Sequence, residues 1–329
     1  MAPTPPLLEV IGLTKHFSKP RSLADLVKGR QGALVTALSD VSFAVAKGST
    51  LGIVGESGCG KSTLARCLVR LHEPDSGAIL FEGKDVSTHE GATRRGFNRS
   101  MQMVFQDPNG SLNPRMTVGD CLSEALAVHA VVPRNAILAR IRELLDLVRL
   151  PAEAAGRRPH EFSGGQRQRI AIARALAVEP KCVVADEPLS ALDVSVQAQI
   201  ANLFLELQQR LDLTLLLISH DLRVVRRLSH RIAVMYLGRI VEIGPAEDLF
   251  ASPRHPYTQG LIASAPQLEP KRMSARDAVA GEPPSPLNPP SGCAFHPRCP
   301  KAVAQCRAAL PALEPRGGRW PVACHLAGP

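Results

Sequence analysis

The chain is 329 residues long and carries 39 lysines and arginines against 30 aspartates and glutamates, a formal charge of +9. That length holds one large α/β core with appendages, and no apolar run approaches the roughly 20 residues needed to span a bilayer. The N-terminal stretch MAPTPPLLEV lacks a basic-then-apolar secretion signal, and the basic residues are dispersed without the interleaved aromatics of a single-strand binder. A cytoplasmic protein is expected, one whose positive balance suits anionic lipid headgroups rather than nucleic acid.

Residues 1–105 alternate strand-like runs with turns. The runs are Leu7–Gly12, Val41–Val45, Leu51–Val54, Ala78–Phe81 and Met101–Phe105, with a turn at Glu73–Gly77 and a loop insertion at residues 18–35. Directly after Leu51–Val54 comes GESGCGKST, Gly55–Thr63. Gly55, Gly58 and Gly60 let the backbone curl so that successive N–H groups face β- and γ-phosphates, with Glu56, Ser57 and Cys59 between them. Lys61 adds a point charge. Ser62 and Thr63 open a helix whose positive end faces the anion, and the Ser62 hydroxyl is placed for Mg²⁺. A glycine-rich turn that binds nothing is the bland alternative, and the apolar strand ahead of the loop argues against it. A bulky adduct on Cys59 is expected to block nucleotide.

From about residue 107 to 160 the pattern becomes helical, with Ile137, Ile141, Leu144, Leu145 and Val148 at helix spacing. The turn-rich stretch Asp107–Pro114 suits either a mobile contact or an ordinary exposed loop. Ser163-Gly164-Gly165-Gln166 then precedes a helix expected over Gly165–Val178. Cys182–Ala185 is a short apolar run of buried-strand type, ending in Asp186 and Glu187 where a strand's carboxyl end would meet a nucleotide. Asp186 is placed to hold Mg²⁺ through its water shell, and Glu187 to polarise the attacking water. A helix over Val194–Leu211, a strand over Leu213–Ile218, His220 just beyond it and a terminal Ile232–Ile243 segment complete the core. Parallel strands alternating with helices imply a right-handed α/β sheet of P-loop type.

Beyond about residue 246 the composition changes: 15 of the 28 prolines and half of the eight cysteines lie there, which reads as a separate module. Cys293, Cys299, Cys306 and Cys324 have 5, 6 and 17 residues between them. In a reducing cytoplasm such thiols suit metal ligation better than disulfides. The spacing lacks the short knuckles of zinc sites and suits a [4Fe–4S] cluster. Zinc and unligated thiols stay open, with His296 and His325 as substitute ligands. The scattered Cys59, Cys67, Cys121 and Cys182 read as small buried hydrophobes.

These motifs resemble, in combination and over residues 7 to 245, the nucleotide-binding subunits of ABC transporters. By that resemblance Gly55–Ser62 is the Walker A motif and Gln106, in VFQDP, the Q-loop glutamine at a hinge, near Mg²⁺ and the γ-phosphate. Ser163–Gln166 is the signature, preceded by Phe162 where the family usually has leucine. Asp186 and Glu187 are Walker B and the catalytic glutamate, Asp193 closes the D-loop, and His220, in ISHD, is the switch histidine. Phe17 sits where the family places an aromatic on adenine, or else belongs to the core. The implied fold is a P-loop NTPase of ABC type, residues 1–245, with an antiparallel β subdomain and a helical subdomain at about 107–160. A Pro/Cys-rich extension follows at 246–329. ATP would lie between Walker A of this chain and the signature of a partner.

The tail strings HPYTQGLIASAP, GEPPSPLNPPSGCAFHPRCP and VACH resemble the extension of dipeptide and oligopeptide importer ATPases, of the F-type in SPLNPPSGC and QDPNGSLNPRMTVGD. The implied partners are a D-type ATPase subunit, two membrane permeases and an extracytoplasmic peptide-binding protein, with this chain peripheral on the cytoplasmic face of the inner membrane. Three readings stay open. They are an import ATPase for peptides, or for glutathione, nickel or another small solute; a soluble ABC ATPase outside transport; and a nucleotide-dependent redox sensor with the cysteine tail as output.

Overall fold

Thr50–Val54 (β3) is buried at all five positions, as a strand flanked by parallel neighbours and covered on both faces must be. In the computed structural model, which describes residues 5–18, 34–87, 90–264, 281–317 and 319–327, β3 lies inside an eight-stranded sheet of order β11 (Glu314–Pro315), β12 (Pro321–Val322), β10 (Arg239–Pro245), β9, β3, β8, β7 and β6. Its parallel part comprises Met101–Val104 (β6), Cys182–Asp186 (β7), Thr214–Ile218 (β8), β3 and Arg231–Tyr236 (β9). All five residues of β7 and of β8 are buried as well. The carboxyl ends of β6, β7 and β8 therefore stand side by side, with Val104 level with Ala185 and Asp186 with Ile218.

A second, antiparallel sheet has the order β2-β1-β4-β5, from Pro6–Ser18 (β1), Leu34–Ala46 (β2), Ser76–Phe81 (β4) and Lys84–Asp85 (β5). Strand β1 runs well beyond the expected Leu7–Gly12. The first strand continues past Gly12 because β2 pairs along it to its end, Phe17 opposite Val35 and Ser18 opposite Leu34. Register shifts along this pair break the alternation that would have marked a strand. The expected loop insertion therefore loses both ends, and its remainder, residues 19–33, lies outside the described residues.

Helix Lys61–Leu68 (α1) buries Leu64, Ala65, Cys67 and Leu68. The helical region holds Val118–Val128 (α2) and Ile137–Leu147 (α3), the latter burying Ile141, Leu144 and Leu145 as its spacing requires. Helix α2 starts at a capping box in which Thr117 and Asp120 bond each other's backbone N–H. The turn-rich Asp107–Pro114 stretch contains one helical turn, Pro108–Ser111. Gly164–Leu176 (α4) and Val194–Leu211 (α5) agree with expectation to within two residues. The Ile232–Ile243 segment is a hairpin of β9 and Arg239–Pro245 (β10), turned by Leu237 and Gly238 at φ 43° and 77°.

The extension continues the eight-stranded sheet. Pro321–Val322 (β12) pairs with β10 at Glu242, and Glu314–Pro315 (β11) pairs with β12. Helix Pro256–Ala263 (α6) buries Tyr257, and Tyr257 and Phe295 share one apolar core with Val54, Val104 and Tyr236. The buried Glu242 carboxylate organises this junction, accepting the N–H groups of Arg254 and His255 and the indole N–H of Trp320 at 2.9, 3.0 and 2.8 Å. A buried carboxylate needs such donors, and the extension supplies them. Among the described residues no helix is long and apolar enough to cross a membrane.

Candidate active site

The glycine-rich loop is fastened by the β9–β10 turn. Gly238 donates its N–H to the Cys59 carbonyl at 2.8 Å and accepts the Ser39 N–H at 2.9 Å. Gly60 has φ 105°, and a Cβ there would stand 2.4 Å from the Ala37 carbonyl oxygen. Conformation and space both demand glycine. Lys61 is only 5% exposed, and its Nζ donates to the Gly55 and Glu56 carbonyls at 2.8 and 2.9 Å. Cys59 lies in the core beneath the loop, with burial raising its thiol pKa and Lys61 opposing the rise. An adduct there would have to lift the loop from below.

Ser62, at the start of α1, donates its hydroxyl to Asp186 Oδ1 at 3.2 Å. Asp186 ends β7 at 3% exposure. Burial raises its carboxyl pKa, the Ser62 hydrogen bond opposes this, and Glu187 adds to it. A hydroxyl and a sequestered carboxylate form the oxygen donor set that a hard divalent cation takes, and Mg²⁺ held by them would neutralise phosphate charge.

Glu187 has φ 46°, a left-handed value costing a non-glycine residue about 1–3 kcal/mol. Its N–H donates to the Ile218 carbonyl at 2.9 Å, and the Ser190 N–H and hydroxyl donate to its own carbonyl at 3.2 and 3.1 Å. Three strand ends converge on its carboxylate. Gln106, two residues past β6, donates Nε2 to Oε2 at 2.9 Å, and His220, two past β8, places Nδ1 3.4 Å from the same oxygen. A cavity of roughly 280 Å³ is walled by Ser57, Lys61, Ser62, Thr63, Gln106 and Glu187, among others. An anion cradle, a cation-binding oxygen pair and a carboxylate able to orient water are the parts of triphosphate hydrolysis.

The remaining expected residues lie elsewhere. Ser163 and Gln166 cap α4 reciprocally, the Ser163 N–H donating to Gln166 Oε1 at 3.0 Å and the Gln166 N–H to Ser163 Oγ at 3.3 Å. Gly165 passes so close to α5 that a Cβ would stand 2.4 Å from Val196 Cγ1, and Asp193 precedes that helix. Neither Ser163–Gln166 nor Asp193 borders the cradle cavity. Phe17 does not border it either; its ring meets His72 edge-on at 5.4 Å, with Lys15 Nζ 5.6 Å from its centroid. Its strand partner Val35 does line the cavity.

In the tail, Cys306 and Cys324 are buried and Cys293 and Cys299 half-buried. The Cys293 N–H donates to the Cys306 carbonyl at 2.8 Å. Burial pushes the Cys293 thiol pKa up to about 11, with Cys306, Cys324 and Cys299 adding to the rise. Among the described residues, however, no three His, Cys, Asp or Glu side chains form a group able to hold a metal ion. The expected cluster site is thus not assembled as a ready ligand set. The two nearby histidines face carbonyls, His296 Nδ1 at 3.0 Å from Cys293 and His325 Nε2 at 2.9 Å from Ala309.

Residues 38–190 match the ABC transporter family, and residues 241–306 the C-terminal region of oligopeptide/dipeptide transporters. A probable peptide ABC transporter ATP-binding protein of Sinorhizobium fredii is 52% identical over 323 residues, 98% of this chain and 90% of the relative. The chain belongs to the ABC transporter ATP-binding family. The oligopeptide transport ATP-binding protein AppF of Bacillus subtilis is 50% identical over 97% of both chains, and the di/tripeptide transport protein DppF of Pseudomonas aeruginosa 48% over 96% of both. A dimeric ATP-binding cassette, solved in a post-hydrolysis state with ADP and phosphate, matches at TM-score 0.63 and 26% identity, covering 73% of this chain and 98% of that one. An ABC ATPase fold is therefore present, as the motifs implied.

Sequence reasoning missed contacts that reach this ABC site from the tail. Tyr257 and Arg298 touch Glu56. Tyr257 stands in the quoted HPYTQGL string, but nothing local ties either residue to the loop.

Proposed function

We propose that this chain is the F-type ATPase subunit of an importer of di- and oligopeptides, peripheral on the cytoplasmic face of the inner membrane. The observation that carries the reading is the union, in one chain, of a nucleotide cradle with a tail of the oligopeptide/dipeptide transporter type. Glu187 is the general base that activates water, oriented by Gln106 and His220, while Lys61 and the loop N–H groups hold the β- and γ-phosphates. Phe17, the strand partner of the cavity-lining Val35, stacks on adenine. That neither Ser163–Gln166 nor Asp193 borders the cradle cavity supports a head-to-tail pair, in which they serve the γ-phosphate of a D-type partner. ATP favours the closed pair by differential affinity, and hydrolysis releases it.

A groove of roughly 360 Å³ beside the Q-loop, with Leu71, Phe105, Val128 and Arg174 in its walls, suits an amphipathic coupling helix of the permeases. Purification from detergent-solubilised membranes should bring down two permeases and a second ATPase. In liposomes this complex should raise its ATPase rate when a peptide-loaded binding protein is added. A chain that leaves the membranes alone, or a rate indifferent to peptide, would sink the import assignment.

The tail thiols are proposed to bind a [4Fe–4S] cluster. A zinc ion with thiolates at about 2.3 Å would need neighbouring sulfurs within about 4 Å, whereas a multi-iron cluster spreads the same four ligands wider. The 5, 6 and 17 residues between Cys293, Cys299, Cys306 and Cys324, without a short knuckle, support the looser arrangement. Protein purified without oxygen should carry about four irons and four sulfides per chain, lost in Cys299→Ser. Zinc, or no metal, overturns this assignment and leaves the ATPase reading intact.

A further inference from the structure

Glu56 is an awkward residue for an ATP cradle, since a carboxylate in the loop repels a triphosphate. Each polar group of Glu56 nevertheless has a defined partner. Its carbonyl accepts Lys61 Nζ at 2.9 Å. Its N–H donates to the Tyr257 hydroxyl at 2.8 Å. Its carboxylate accepts both terminal nitrogens of Arg298, Nη1 to Oε2 at 2.7 Å and Nη2 to Oε1 at 2.9 Å. The lysine belongs to the cradle itself; the tyrosine and the arginine come from the extension.

This second attachment is rigid. The Arg298 side chain is 6% exposed and that of Glu56 24%, so the fork-to-fork ion pair is largely shielded from water. Arg298 also donates to the Tyr236 hydroxyl at 3.3 Å. The rings of Tyr236, Tyr257 and Phe295 wedge together behind it, with centroids 4.7 to 5.4 Å apart. Rings so interlocked leave the guanidinium and the phenol little freedom, and the loop is fixed to a wall rather than to a mobile chain.

We propose that Arg298 and Tyr257 are positioning residues for the nucleotide. Arg298 neutralises Glu56 and turns its carboxylate away from the phosphates, and Tyr257 holds the Glu56 N–H so that the cradle opens at Ser57. The extension thereby sets the affinity of the ATP site, independently of which solute is carried and of what the tail thiols bind.

A lost charge partner, unlike lost packing, can be compensated by removing the opposite charge. Arg298→Met should weaken ATP binding by about 10- to 100-fold in a titration with a fluorescent ATP analogue, the range expected when a charged hydrogen bond is lost. Adding Glu56→Gln to the same chain should restore affinity to within about threefold, because the unpaired charge is gone. Wild-type affinity in Arg298→Met, or a defect that Glu56→Gln leaves unrelieved, overturns the proposal. Should Arg298→Met fail to fold, Tyr257→Phe keeps the ring and removes only the acceptor. Several-fold weaker ATP binding at an unchanged melting temperature then supports the proposal, and unchanged affinity overturns it.

Discussion

A Glu187→Gln chain binds ATP as the parent does and hydrolyses it about 10²- to 10⁴-fold more slowly, the span a general base contributes. Glutamine matches glutamate in length, and its amide oxygen can still accept Gln106 Nε2, now at 2.9 Å from the carboxylate. It cannot take a proton. The cradle contacts of Lys61 and the Ser62–Asp186 pair do not pass through Glu187, so affinity is preserved while chemistry fails. The variant should accumulate as an ATP-bound complex with its partner subunit. Single-turnover hydrolysis beside equilibrium binding separates the two quantities, and a parental turnover rate would remove Glu187 from its role.

Lys61→Ala has the opposite signature. The Lys61 ammonium is almost wholly shielded and ties the Gly55 and Glu56 carbonyls together. Without it the loop loses its internal brace and the phosphates lose a cation. Charged hydrogen bonds are worth about 1.5–3 kcal/mol each, and 1.4 kcal/mol is tenfold in Kd, so ATP affinity should fall by about 10- to 100-fold or more. Calorimetric titration with ATP decides the point; unaltered affinity would mean that the backbone N–H groups suffice alone.

How much of this was legible before the fold was known depends on sequence distance. GESGCGKST and the Asp186-Glu187 strand end are local signals: a turn that needs glycine and a strand that needs burial. Their meeting at one site follows from parallel strand order. The convergence of Gln106 and His220 on Glu187 came only through family resemblance, since no pattern in the chain relates residues 81 apart. The far end of the first strand is not legible because its register shifts hide the two-residue period. The attachment of the extension was not legible for a different reason. Its prolines and cysteines suggest a separate module, and Glu242, Tyr257 and Arg298 join that module to the core through side chains that composition cannot pair.

The clamp on Glu56 also has a consequence in time. Synthesis runs from the N-terminus, so the cradle leaves the ribosome 242 residues ahead of Arg298. At about 5–20 residues per second that interval is on the order of tens of seconds. Throughout it the Glu56 carboxylate lacks its Arg298 partner. On the roles proposed for Arg298 and Tyr257, high affinity for ATP is then a property that the chain acquires late in its synthesis.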